Sequence, residues 1–85
     1  MTALQLFGAT VRARRKHLGL TQKELSAKVG LHYTYIGDIE RGERNVSLQN
    51  ILRLAAALDV FPTDLLQPLN TRPDLWPPPK EGEPY

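Results

Sequence analysis

The chain has 85 residues, 41% of them hydrophobic, with no cysteine and a formal net charge of +2. That length holds one small core, and without cysteine neither a disulfide framework nor a thiolate zinc site is available to close it. No apolar run reaches the roughly 18 residues that a membrane span needs, and the N-terminus lacks a signal-peptide layout, so a soluble, cytoplasmic protein with no membrane partner is expected.

The charge is unevenly spread. Residues 1 to 30 carry Arg12, Arg14, Arg15, Lys16, Lys23 and Lys28 against Glu24 alone, while the rest of the chain balances or favours acids. A basic first third raises the odds of a polyanionic partner without naming one.

In chain order, Leu4, Phe7, Val11 and Leu18 recur at helical spacing and predict a first helix from about Ala3 to Leu18, ended by Gly19. Thr21 and Glu24 have the spacing of a capping box, in which the Thr hydroxyl accepts from the Glu24 N–H and the carboxylate accepts from the Thr21 N–H. The second helix follows, with Leu25 and Val29 on its apolar face and Gly30 at its end. A third, about Tyr33 to Arg41, buries Ile36 and Ile39 and stops at Gly42. Ser47 caps a fourth, on which Leu48, Ile51, Leu52, Leu54, Ala55 and Leu58 form a broad apolar stripe. Pro62, at a first-turn position, opens a short fifth to Leu66.

From Gln67 onward six prolines fall in nineteen residues, three of them consecutive at Pro77 to Pro79. Proline removes backbone donors and opposes helix, so residues 68–85 are expected to form an extended or flexible tail behind a domain of residues 1–67. Leu75 and Trp76 are its sizeable apolar features. The tail reads as a terminus or linker, with a protein-binding segment as the alternative.

Two helices joined by a turn at Gly30, over about residues 21–42, have the form of a helix-turn-helix. Gly30 supplies a positive φ, Ser26 offers a small side chain for close helix approach, and Leu25, Val29, Leu31, Ile36 and Ile39 are spaced to enter one core. His32, Tyr33, Thr34, Gly37, Asp38 and Arg41 are then left outward on the third helix. Such a face has donors, acceptors and methyl groups for a major groove.

The stretch from Leu18 to Leu66, with its LTQ, Ser26, Gly30, the IERG run at Ile39 to Gly42 and the serine-capped fourth helix, resembles the Cro and phage-repressor type of helix-turn-helix domain, the XRE family. Thr34 to Ile36 and Ile39 to Asn45 are similar to the corresponding parts of restriction-modification controller proteins. The resemblance implies an all-α, five-helix, lambda-repressor-like fold and a homodimer that binds double-stranded DNA, with about residues 33–41 as recognition helix.

Site roles follow from that resemblance residue by residue. Gln22 matches a phosphate-binding position at the start of the second helix, where free N–H groups and the helix dipole favour an anion. Tyr33, Thr34, Gly37 and Asp38, with His32 beside them, match positions facing base edges. Tyr35 either offers its hydroxyl to a phosphate or only packs. Arg41, Arg44 and Asn45 fall among the expected backbone contacts, Arg44 and Asn45 having loop structuring as the alternative. Glu40 matches a buried partner of a first-helix arginine, a place that Arg15 occupies. Phe61, Leu65 and Leu66 are dimer candidates, although some of them must close the core.

Two departures from the family pattern carry expectations. His32 stands where a stronger cap such as serine is common, so a less firmly started recognition helix is expected. Gly37 costs about 1 kcal/mol of helix stability relative to alanine and offers no side chain for readout. Asp38 accepts from a cytosine amino group, repels wrong sites, or lies solvated at the edge of the footprint.

No cofactor or metal is expected. The two histidines lack carboxylates at ligand spacing, and the chain has no glycine-rich phosphate cradle and no nucleophile beside a histidine, so an enzyme is disfavoured. The remaining readings are a transcriptional regulator, either a repressor or an autoregulator, and a protein-interaction module such as an antitoxin or part of a larger regulator.

Overall fold

Four of the five α-helices begin on a side-chain cap, and these caps divide the chain into its elements. A computed structural model describes residues 1–79. Helix α1, Ala3–His17, starts at Thr2, whose hydroxyl accepts from the Gln5 N–H while the Gln5 amide oxygen accepts from the Thr2 N–H. Helix α2, Gln22–Val29, starts at Thr21 with the reciprocal Glu24 bond. Helices α3, Tyr33–Glu40, and α4, Leu48–Leu58, start at His32 and Ser47. Helix α5, Pro62–Leu66, has no side-chain acceptor at Phe61, but the Asp64 carboxylate accepts from the Phe61 N–H. Each cap satisfies N–H groups that no helical turn can reach.

The helices enclose Phe7, Val11, Leu25, Ile36, Ile39, Leu54, Ala55, Leu58 and Leu65. Helix α1 packs on α3, α2 packs on α3 and α4, and α5 closes the open side between α1 and α4. The crossing of α1 and α3 is close because of Gly8: a Cβ there would lie 2.7 Å from the Glu40 carbonyl oxygen and nearer still to that of Ile39. Just past the same end of α3, Gly42 has φ +75°, and a Cβ on it would lie 2.7 Å from the Gln5 Cα. Glycine is therefore required there twice over, by conformation and by space.

Three sequence expectations change. Leu18 is 38% exposed, because α1 ends one residue earlier and Leu18 is its C-cap. The α4 stripe is narrower than its composition suggests: Leu48 and Leu52, one turn apart, are 69% and 48% exposed, while Leu54, Ala55 and Leu58 are buried. Finally, Gln67 to Leu75 is not extended. It forms two 3₁₀ helices, η1 (Gln67–Thr71) and η2 (Pro73–Leu75), each beginning with or next to a proline, where a missing N–H costs nothing. Helix η1 packs on α1 and α5, and the Trp76 indole N–H donates to the Leu69 carbonyl at 2.9 Å. Residues 80–85 of the expected tail lie outside the described residues. Among the described residues no helix is long and apolar enough to cross a membrane.

Candidate nucleic-acid interface

One carboxylate ties three helices, α1, α2 and α3, together. Glu40, at the end of α3, accepts from Arg15 of α1 through two parallel bonds, Nε to Oε2 at 2.6 Å and Nη2 to Oε1 at 2.9 Å. Both residues are buried. The Arg15 Nη1 donates to the Leu20 carbonyl at 2.8 Å, just ahead of α2. The hydrogen bond from Arg15 to the carboxylate, more than their Coulomb attraction, raises the arginine pKa above its usual value, against a smaller opposing effect of burial. Because the pair is bidentate and none of its buried nitrogens and oxygens lacks a partner, the charges are buried in the form that folding tolerates.

The same carboxylate orients Gln22. Its Nε2 donates to Glu40 Oε1 at 3.1 Å, so the first residue of α2 is anchored to the last residue of α3. Gln22, Glu40 and Arg15 line a cleft of about 260 Å³ together with Arg12, Gly37 and Arg41. Arg12 was not singled out from the sequence. Its exposed place on α1 gave no local signal, and only the crossing of α1 over α3 brings it to this cleft.

The N-terminal end of α3 is firmly built. The His32 ring Nδ1 accepts from the Thr34 N–H at 3.2 Å and lies 2.7 Å from the Thr34 hydroxyl oxygen. Histidine thus caps the helix, correcting the expectation of a weak start: an imidazole nitrogen reaches the N2 donor that a serine oxygen would otherwise take. Tyr33 is held from two sides, stacked on His32 with ring centroids 4.7 Å apart and carrying the Lys23 ammonium 5.1 Å from its ring centre. Its ring remains 43% exposed, beside exposed Thr34. Lys23 was also missed in the sequence, since a cation–π partner one helix away leaves no spacing pattern.

Further along α3 the surface departs from expectation. Gly37 is buried, not outward: the Arg41 guanidinium and the Gln22 amide lie over it, 3.1 Å and 3.6 Å from where a Cβ would stand. Asp38 is half-buried and paired instead of solvated, its two oxygens taken by Arg41 at 2.6 Å and Arg44 at 3.1 Å. Arg41 also meets Glu43 at 3.3 Å, and this pairing, ahead of Asp38, raises its pKa. Arg44 lies 5.5 Å over the ring of Tyr35, whose hydroxyl accepts from Asn50 of α4 at 3.4 Å. Asn45 is exposed in the loop before α4. Of the dimer candidates, Phe61 is 75% and Leu66 37% exposed, whereas Leu65 is 1% exposed and belongs to the core.

Helix α2, the left-handed turn at Gly30 (φ +81°) and α3, held against α1 through Glu40, define a helix-turn-helix protein. The helix-turn-helix family model HTH_3 matches residues 11–66, and the chain belongs to that family, among regulators of transcription that bind DNA sequence-specifically. It is 52% identical over 62 residues to control protein C.BamHI of Bacillus amyloliquefaciens, covering 72% of this chain and 76% of the relative. It is 40% identical over 63 residues to repressor protein C2 of Salmonella phage P22, covering 74% of this chain and 29% of that one. Among solved structures, the restriction-modification controller protein C.AhdI of Aeromonas hydrophila superposes with a TM-score of 0.72 at 50% identity, over 73% of this chain and 94% of the other.

Proposed function

We propose that the protein acts as a homodimer on a near-palindromic operator, as a repressor or autoregulator, with α3 in the major groove. The observation that carries this reading is the built N-terminal end of α3, where Tyr33, stacked on His32 and beneath the Lys23 ammonium, and Thr34, bonded to the His32 cap, stand exposed, with a cleft lined by Arg12, Gln22 and Arg41 further along. Tyr33 and Thr34, with His32 at their side, meet base edges and thymine methyl groups. Gln22 and Arg12 meet a phosphate at the start of α2, and Arg41, Arg44 and Asn45 meet the backbone beyond α3. Gly37, being covered, contributes clearance for Arg41 instead of a base contact. Tyr35 packs and supports Arg44.

The dimer face is assigned to α4 and α5, where Phe61, Leu66, Leu48 and Leu52 expose large apolar side chains. Pairing there sets two recognition helices about 34 to 36 Å apart, one turn of DNA. A relative named a control protein and a solved neighbour named a restriction-modification controller protein support the regulator reading.

Selection of bound sites from random duplex DNA tests the reading. It should yield a two-fold motif whose affinity falls linearly in log salt. Failure to enrich any motif would remove the reading in favour of a protein partner.

A further inference from the structure

Asp38 is an acid on the surface assigned to DNA, and its carboxylate is fully engaged. Oδ1 accepts from Arg41 Nη2 at 2.6 Å and Oδ2 from Arg44 Nε at 3.1 Å. The Asp38 side chain keeps 23% of its surface, against 58% and 56% for the two arginines, so it stands screened behind two cations that face solvent.

Each arginine is also held from a second side. The Arg44 guanidinium lies over the Tyr35 ring, and the Arg41 Nη1 lies across Gly37 while its Nε approaches Glu43. Arginine side chains carry some of the largest rotamer freedom of any residue, and that freedom is lost when they bind. Here much of it is already lost in the free protein. Of the five N–H groups on Arg44, Asp38 takes the one on Nε. Among the described residues its two terminal amino groups have no partner, which leaves open the fork that fits a phosphate.

We propose that Asp38 is a positioning residue that does not touch DNA but holds Arg44, and with it Arg41, in the geometry required by a backbone phosphate of the operator. The inference rests on the DNA-binding reading above. It opposes simple electrostatics in sign. Removing an acid from a DNA-facing surface should tighten binding to every duplex. Removing a positioning acid should weaken binding to the operator, while binding to unrelated duplex, which needs charge more than geometry, is kept or strengthened.

The test uses the full chain, the duplex motif it selects from random DNA and a scrambled duplex, with D38N, R44A and the double variant. D38N is expected to bind the motif about tenfold more weakly, the scale of freeing one or two ordered side chains, with undiminished affinity for the scrambled duplex and an unchanged melting temperature. In the R44A background D38N should have little further effect. In the free protein the Arg44 Nε–H, bonded to Asp38, should exchange more slowly in the wild type than in D38N. Tighter binding of D38N to both duplexes, an equal loss with and without Arg44, or an unaltered Nε–H signal each overturns the positioning role and leaves the DNA-binding reading standing. A wild-type chain that selects no motif overturns both.

Discussion

Gly8 and Ile39 meet backbone to backbone, with no room for a side chain between α1 and the last turn of α3. Helix α3 is therefore seated on α1 by main-chain contact, and the angle at which it is presented is set by that contact together with the Arg15–Glu40 pair seven residues along α1.

Gly8→Ala should accordingly destabilise the fold although alanine is the better helix former. Forcing one methyl group into a filled space costs about 1–3 kcal/mol, occasionally more, against roughly 1 kcal/mol of helix propensity regained. A urea denaturation midpoint equal to or above that of the wild type would contradict it.

Glu40→Ala strands Arg15 and releases Gln22 in one step. Loss of one partner of a buried pair costs about 3–5 kcal/mol, so both folding stability and operator affinity should fall. A variant with an unchanged melting temperature would show that the pair does not hold the helices together.

Much of this was legible in the sequence. The capping spacings at Thr21 and Ser47, the glycines after α2 and α3, and Pro62 each act within four residues of themselves, and they locate helix ends accurately. Thr2 with Gln5 has the same spacing and forms the same box. The misplaced residues share another cause. Leu48 and Leu52 carry the apolar character of the core, and only packing shows that α5 covers the other side of α4. The position of Gly37 on the helix is outward, and its burial comes from long side chains folding over it. The pairing of Asp38 depends on rotamers of two arginines, which no spacing rule fixes, and the cap at His32 depends on which ring nitrogen carries the proton.

Acid should weaken α2 through Glu24. Bonds from the Thr21 backbone N–H, and then from its hydroxyl, hold the Glu24 carboxyl below the usual carboxylate range in the folded chain. A carboxyl with a depressed folded pKa stabilises the fold above its unfolded pKa, and this contribution fades as pH falls from the ordinary carboxylate range through the lower folded value. Thermal melts of wild type and Glu24→Gln should therefore differ most near neutral pH and converge under acid. A constant difference across that range would exclude the carboxylate as the source.

Neighbouring residues on α5 and its approach separate folding from association. Leu65→Ala empties part of the core and should cost about 2–5 kcal/mol, lowering stability even in dilute solution. Phe61→Glu should leave the monomer folded while shifting sedimentation to the monomer and lowering operator affinity. A Phe61→Glu protein that remains dimeric would move the interface away from α5.

Trp76, the sole tryptophan of the chain, is hydrogen-bonded to Leu69 and half exposed on the C-terminal turns. Intrinsic fluorescence excited at the indole therefore watches the departure of those turns from α1, and α3 is nearly dark to it. Melting of the helical core is better followed by far-ultraviolet dichroism. DNA titrations followed at the indole call for a label on the duplex, because the single tryptophan of the protein reports a different event.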